Sequence, residues 1–135
     1  MRPENRSRVS GSSAIPGGRT PAAARAAAAR AVSAVYRGRS LDAALAEIFS
    51  TAFAQLGGER ALIQEMSYGA LRWHFQLLPL LHGFLEKPFK DKDADLEALL
   101  VIGFYQLLHM RVAAHAAVKE TVEATVVLKK DWRKA

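Results

Sequence analysis

From residue 22 onward apolar positions return every three to four residues, the spacing of helices that each bury one face. No stretch combines strict alternation with hairpin turns, so strands are not expected. The pattern predicts an all-α bundle of five to six helices. The first covers about 22–37: Pro21 suits a first-turn position, alanine has the best helix propensity, and Ala28, Val32 and Val35 form an apolar stripe. Ser40 is placed to cap a second helix, in which Leu41, Leu45, Ile48, Phe49, Ala52 and Phe53 keep the helical spacing up to the glycines at 57–58. A third begins near Glu59, with Leu62, Ile63, Met66, Ala70 and Trp73 on its buried side, and Pro79 marks a break or kink before a short segment, "LLHGFLE". Asp91 or Asp93 is expected to cap the next helix, which runs to about Met110, and a last one covers roughly 116–130. Short connections make neighbours antiparallel.

Two glycines interrupt the helical pattern, Gly69 in "SYGALR" and Gly103 in "IGFYQLL". Each costs about 1 kcal/mol relative to alanine inside a helix. A close helix crossing would offset that cost, with Tyr68 and Tyr105 packing beside it and Gln106 bonding to a neighbouring backbone.

Composition narrows the class of protein. The 135 residues suit one domain, and at 50% apolar they can build a core. No apolar run is long enough to span a bilayer. There is no cysteine, which excludes disulfides, thiolate metal sites and a cysteine nucleophile in this chain. Residues 1–21 are rich in Arg, Ser, Gly and Pro and are expected to be a disordered tail, because they offer little apolar surface against the entropy of ordering. The net charge of +6 divides evenly: the tail carries +3, and the body has 15 basic and 12 acidic residues. Arginines interrupt the alanines that would have to form the apolar core of a secretory signal. A cytoplasmic location is expected, although an Arg-rich, acid-poor start also fits a transit peptide.

None of the familiar catalytic or ligand-binding patterns is complete in this chain. His74, His82, His109 and His115 have no HxxxH or HExxH spacing. "DKDADLE" has the alternating aspartates of a calcium loop, but its sixth position is Leu96 and its twelfth Ile102, so it reads as a helix start. Glu120 and Glu123 share a helical face and suit a solvated or salt-bridged surface better than acid/base work. Gly17 and Gly18 form no phosphate loop. This chain is therefore expected not to be an enzyme and to hold neither metal nor cofactor. What survives is basic charge, Arg25 and Arg30 on the first helix, Arg37 and Arg39 at its end, and Arg60, Arg72, Lys87 and Lys90 elsewhere, side chains able to contact the phosphates of a nucleic acid. On composition alone, a nucleic-acid-binding bundle and a protein-docking bundle stand level, since a charge run also serves as a solvated face.

The segments "RAAAARAVSAVYRGRSLDAAL" (25–45), "ALIQEMSYGALR" (61–72), "KPFKDKDADLEALLVIGFYQLLHMRVAAHAAVKETVE" (87–123) and "LKKDWRKA" at the end carry a resemblance. In that order they resemble the NusB-like domain at the amino end of the RsmB/Sun (Fmu) family of bacterial ribosomal RNA cytosine-C5 methyltransferases. "YGALR", with "IGFYQLLHMR" followed by "HAAVKETVE", resembles that branch more than free-standing NusB, the transcription antitermination factor. The resemblance implies a NusB-like helical fold over 22–135 that binds ribosomal RNA through the basic first helix, which makes Arg25, Arg30, Arg37 and Arg39, with Arg72 beside them, the candidate RNA-binding residues. In the family it is joined to a catalytic domain that uses S-adenosylmethionine and a cysteine thiolate, neither of which this chain is equipped to supply. Family members continue with a helix similar to "GLVNAVLRR", so the sequence reads as a domain truncated before its last helix, and apolar surface should lie exposed. Ala113 and Ala114 stand where the family has a proline, which softens the expected turn. The implied partners are ribosomal RNA and the catalytic domain, with no membrane. The alternative is a stand-alone antitermination or docking module that binds a ribosomal or transcription-complex protein.

Overall fold

The computed structural model describes residues 21–50 and 59–134, with side chains as far as Lys129. Every regular element among them is helical: α1 (Pro21–Tyr36), α2 (Leu41–Ser50), α3 (Arg60–Arg72), α4 (His74–Gly83), a 3₁₀ turn (Asp91–Asp93), α5 (Ala94–His109) and α6 (Ala114–Lys134). Residues 1–20 of the expected tail and the stretch with Ala52, Phe53 and the two glycines of 57–58 lie outside the described residues, whereas Pro21, counted with the tail, is the first residue of α1.

α1 is the centre of the bundle. Alanine keeps its backbone helical at little entropic cost, and its small side chains let neighbours approach from several directions, so α2, α3, α5 and α6 all pack on it. The expected stripe of Ala28, Val32 and Val35 is too narrow: α1 is buried almost without interruption from Ala22 to Ser33, whereas Val35 is half-buried. A helix apolar all round its circumference belongs inside. Ile63 and Met66 from α3, Leu77 from α4, Leu99 and Ile102 from α5 and Leu128 from α6 close the core around it.

The cap of α2 is formed as expected, with the Ala43 N–H donating to Ser40 Oγ at 3.1 Å. The break in the middle of the chain is not where proline suggested. It falls at Trp73 (φ −100°, ψ 18°), while Pro79 lies inside α4. Pro79 and Phe75, whose carbonyl loses its partner to the proline, are both on the outside, where water can bond that carbonyl. Neither Asp91 nor Asp93 bonds the start of α5 through its side chain; Asp95 Oδ1 instead accepts from the Leu96 N–H at 2.9 Å. α6 begins at Ala114, earlier than expected, because "AAHAA" contains nothing to delay the helix and the Ala117 N–H already donates to Ala113 O at 2.9 Å.

Both glycines sit at close approaches, each to a side chain. A Cβ built on Gly69 would fall within the Tyr105 ring, and one on Gly103 would meet Thr121 Cγ2 at 3.2 Å. Tyr105 is therefore at the contact as expected. Tyr68 is not: it is half-exposed on the outer side of α3, and its hydroxyl donates to Asp42 Oδ1 at 3.0 Å.

Candidate nucleic-acid interface

The five candidate arginines separate into an inner and an outer group. Arg25 points into the bundle and is 5% exposed. Its Nε and Nη2 both donate to Gln106 Oε1, at 3.0 and 2.8 Å, and its Nη1 donates to Pro21 O at 3.3 Å. Gln106 Nε2 donates in turn to Ile102 O at 3.3 Å and Thr121 Oγ1 at 3.2 Å, so one polar chain links α1, α5 and α6. Burial lowers the Arg25 pKa from its usual value, opposed by Glu120 and Glu59. The placement of Arg25 on an outer basic face is thus corrected, since the residue is committed to the core. The reason is register: its position on α1 turns it toward Gln106 of α5 rather than toward water. Arg30 is half-buried and its pKa is also lowered, by burial first, with Asp95 opposing and Arg37 adding to the shift.

Arg37, Arg39 and Arg72 are exposed. Arg37 and Arg39 flank Gly38, whose φ of 102° is the left-handed geometry that ends α1. Arg39 forms an ion pair with Glu47, an exposed contact that water and salt weaken. The turn is tied to the α3–α4 junction at two points. Tyr36 Oη lies 3.2 Å from His74 Nδ1, and Tyr68 bonds Asp42 in the first turn of α2. Burial, with Glu97 adding, pushes the Tyr36 phenol up to about 12. The outer arginines therefore lie on segments that the Tyr36–His74 and Tyr68–Asp42 contacts bring together, although they come from separate stretches of sequence.

Aromatic side chains share this region. Trp73 stacks on His109 with centroids 4.3 Å apart, His109 lies 5.6 Å from the Tyr105 ring, and His109 Nε2 is 2.7 Å from Gln76 Oε1. Phe75 is 90% exposed, and its only ring contact among the described residues is with His74 at 5.1 Å. The sequence put Trp73 on the buried side of its helix, a placement corrected here because at the break the ring is 39% exposed; Phe75 was not placed, yet the spacing held a clue. Tyr68, Arg72 and Phe75 fall at i, i+4 and i+7, opposite the arc of Ile63, Met66 and Ala70.

A second surface feature is an apolar groove between α5 and α6, walled by Leu100, Phe104, Leu107, Ala117, Val118 and Val122. Val118, Val122 and Leu107 are each more than two-fifths exposed. Apart from the Thr121 hydroxyl, which accepts from Gln106, the lining side chains are apolar and none is charged, so the groove does not fit a charged, hydroxyl-bearing cofactor such as S-adenosylmethionine. Among the described residues no cluster of three His, Cys, Asp or Glu could hold a metal ion, and no helix is long and apolar enough to cross a membrane.

An α-helical bundle with an alanine-rich central helix and a polar tie between its first, fifth and sixth helices defines the class. Residues 22–135 match the family described as the NusB family, and the chain belongs to it. It is 43% identical over 111 residues to the ribosomal RNA small subunit methyltransferase B of Pseudomonas syringae pv. tomato, covering 82% of this chain and 24% of the relative. With the protein of the same name from Pseudomonas putida it shares 44% over 114 residues, 82% of this chain and 25% of the relative. With that from Vibrio vulnificus it shares 43% over 106 residues, 78% of this chain and 24% of the relative. The chain thus spans about a quarter of the length of these relatives. No solved structure matches it.

Proposed function

We propose that this domain binds small-subunit ribosomal RNA and positions it for a methyltransferase domain, of the kind its relatives' names state and, by the family resemblance, acting at cytosine C5. Binding is the domain's contribution; the reaction, with S-adenosylmethionine as methyl donor, belongs to the catalytic part. The bacterial cytoplasm is the location that accompanies this reading. The observation that carries it is the exposure of Arg37, Arg39 and Arg72 on segments that the Tyr36–His74 and Tyr68–Asp42 contacts bring together in a NusB-family bundle. These exposed cations are placed to contact phosphates.

The test is binding of the whole chain to small-subunit ribosomal RNA fragments across a salt series, beside a variant with Arg37, Arg39 and Arg72 replaced by alanine. Counterion release predicts a log–log slope of about −0.7 for each phosphate contacted on single-stranded RNA, so removing three contacts should flatten the slope by about 2. Absence of saturable binding at low salt would sink the proposal. Arg25 is left intact, because changing it would confuse loss of binding with loss of the core.

A second reading, docking of a protein or of the catalytic domain, draws on the apolar groove between α5 and α6. It predicts that Val122→Glu abolishes the docking while leaving RNA affinity unchanged.

A further inference from the structure

The geometry points to a base-stacking surface for unpaired RNA on the row Tyr68, Arg72 and Phe75, beside the Arg37–Arg39 turn. This deepens the RNA-binding reading and rests on it. Tyr68, Arg72 and Phe75 occupy one face across the α3–α4 junction, and the rise per residue puts the first and last about 10 Å apart along the axis. The break between the two helices is a single residue: the Trp73 N–H still donates to Gly69 O at 3.0 Å, and Trp73 O accepts from both the Gln76 and the Leu77 N–H at 2.9 Å.

Exposure supports the assignment. Phe75 at 90% leaves nearly its whole ring in water, an arrangement that gains nothing for folding. The ring beside it is held: His74 is fixed by Tyr36, so the backbone that carries Phe75 is anchored on α1. A ring on a rigid element, open on its face and flanked by a guanidinium one turn away, offers a stacking plane and a phosphate contact together. Tyr68 supplies a second ring, 50% exposed and oriented by Asp42. Of the acids near this face, Asp42 is engaged by Tyr68 and Glu47 by Arg39, while Glu65, one turn before Tyr68, stands exposed. Duplex RNA keeps its bases paired and stacked inside the helix, so this surface should select single strands.

The experiment compares the whole chain with Phe75→Ala, Phe75→Trp and Arg72→Ala. The probes are a fluorescein-labelled single-stranded RNA from the small subunit and the same strand annealed to its complement. The expected result is a preference of the wild type for the single strand and a loss of about 5- to 150-fold in Phe75→Ala with an unchanged salt slope. Arg72→Ala should flatten the slope by about 0.7. Phe75→Trp should keep the affinity and add fluorescence quenching on binding beyond that of the wild-type tryptophans. Salt-dependent binding that Phe75→Ala does not weaken, with no added quenching in Phe75→Trp, would overturn the stacking surface, leave RNA binding intact and turn the exposed ring toward a protein contact. No binding by the wild type at low salt would instead defeat the RNA reading itself. Phe75 is so exposed that its removal should leave the melting temperature nearly unchanged, which separates each outcome from misfolding.

Discussion

Arg25 and Arg37 belong to the same stretch of basic sequence, on α1 and just beyond it, and the fold treats them in opposite ways. Arg25 is enclosed where α1 meets α5 and α6, with its fork closed on Gln106 and its pKa lowered by burial. Arg37 stands in water at the turn, near Arg39 and across from the α3–α4 junction. Position along a helix therefore decides whether a cation is a structural tie or a surface for a polyanion. A count of arginines cannot tell the two apart, because a buried guanidinium with good partners and a solvated one are identical in composition.

The inner region should be the costly one to disturb. Replacing Gln106 by Leu leaves the Arg25 Nε and Nη2 buried without their acceptor and is expected to destabilise the fold by about 2–3 kcal/mol in urea denaturation. Combining it with Arg25→Met should recover most of that loss, because removing both partners of a buried polar pair leaves no orphan. Failure of the double variant to recover would mean that Arg25 is not held chiefly by Gln106. Gly69→Ala is next, at about 1–2 kcal/mol, since the Tyr105 ring must move to admit a Cβ and the gain in helix propensity returns only part of the cost.

The junction between the two regions can be probed by pH. The Tyr36 phenol is pushed from 10.0 up to about 12 by burial, with Glu97 adding, so the neutral form is favoured in the folded state. Between those values the folded chain holds a proton that the unfolded chain has lost, and stability falls as pH rises. Thermal melts of the wild type should decline across that window more steeply than those of Tyr36→Phe, which lacks the titrating group. Equal slopes would remove Tyr36 as their cause. The smallest effects belong to the outer face: Arg37→Ala and Arg72→Ala should each change stability by less than about 0.5 kcal/mol. A larger change would place those side chains in the inner class with Arg25.

The residues that were legible in the sequence are those whose local chemistry leaves little choice. Ser40 caps α2 because a hydroxyl before a helical run satisfies a free N–H, and Gly69 and Gly103 mark close approaches because nothing else repays their cost. The break at Trp73 was not legible, since no breaker stands there and the obvious one, Pro79, is accommodated inside α4. Nor was the tie from Arg25 to Gln106, which joins residues from distant parts of the chain.

By itself the sequence determined that the chain is helical, roughly where its helices begin and end, that it contains no cysteine chemistry, and which family it resembles. Those properties follow from periodicity, propensity and residue type, all of which act within a few turns of chain. Only the tertiary structure decided that α1 lies at the centre rather than on a flank, that one arginine is buried while three stand exposed on segments that packing brings together, and that Phe75 faces water. Which face of a helix is buried depends on how many neighbours pack against it, and that number is a property of the assembled bundle.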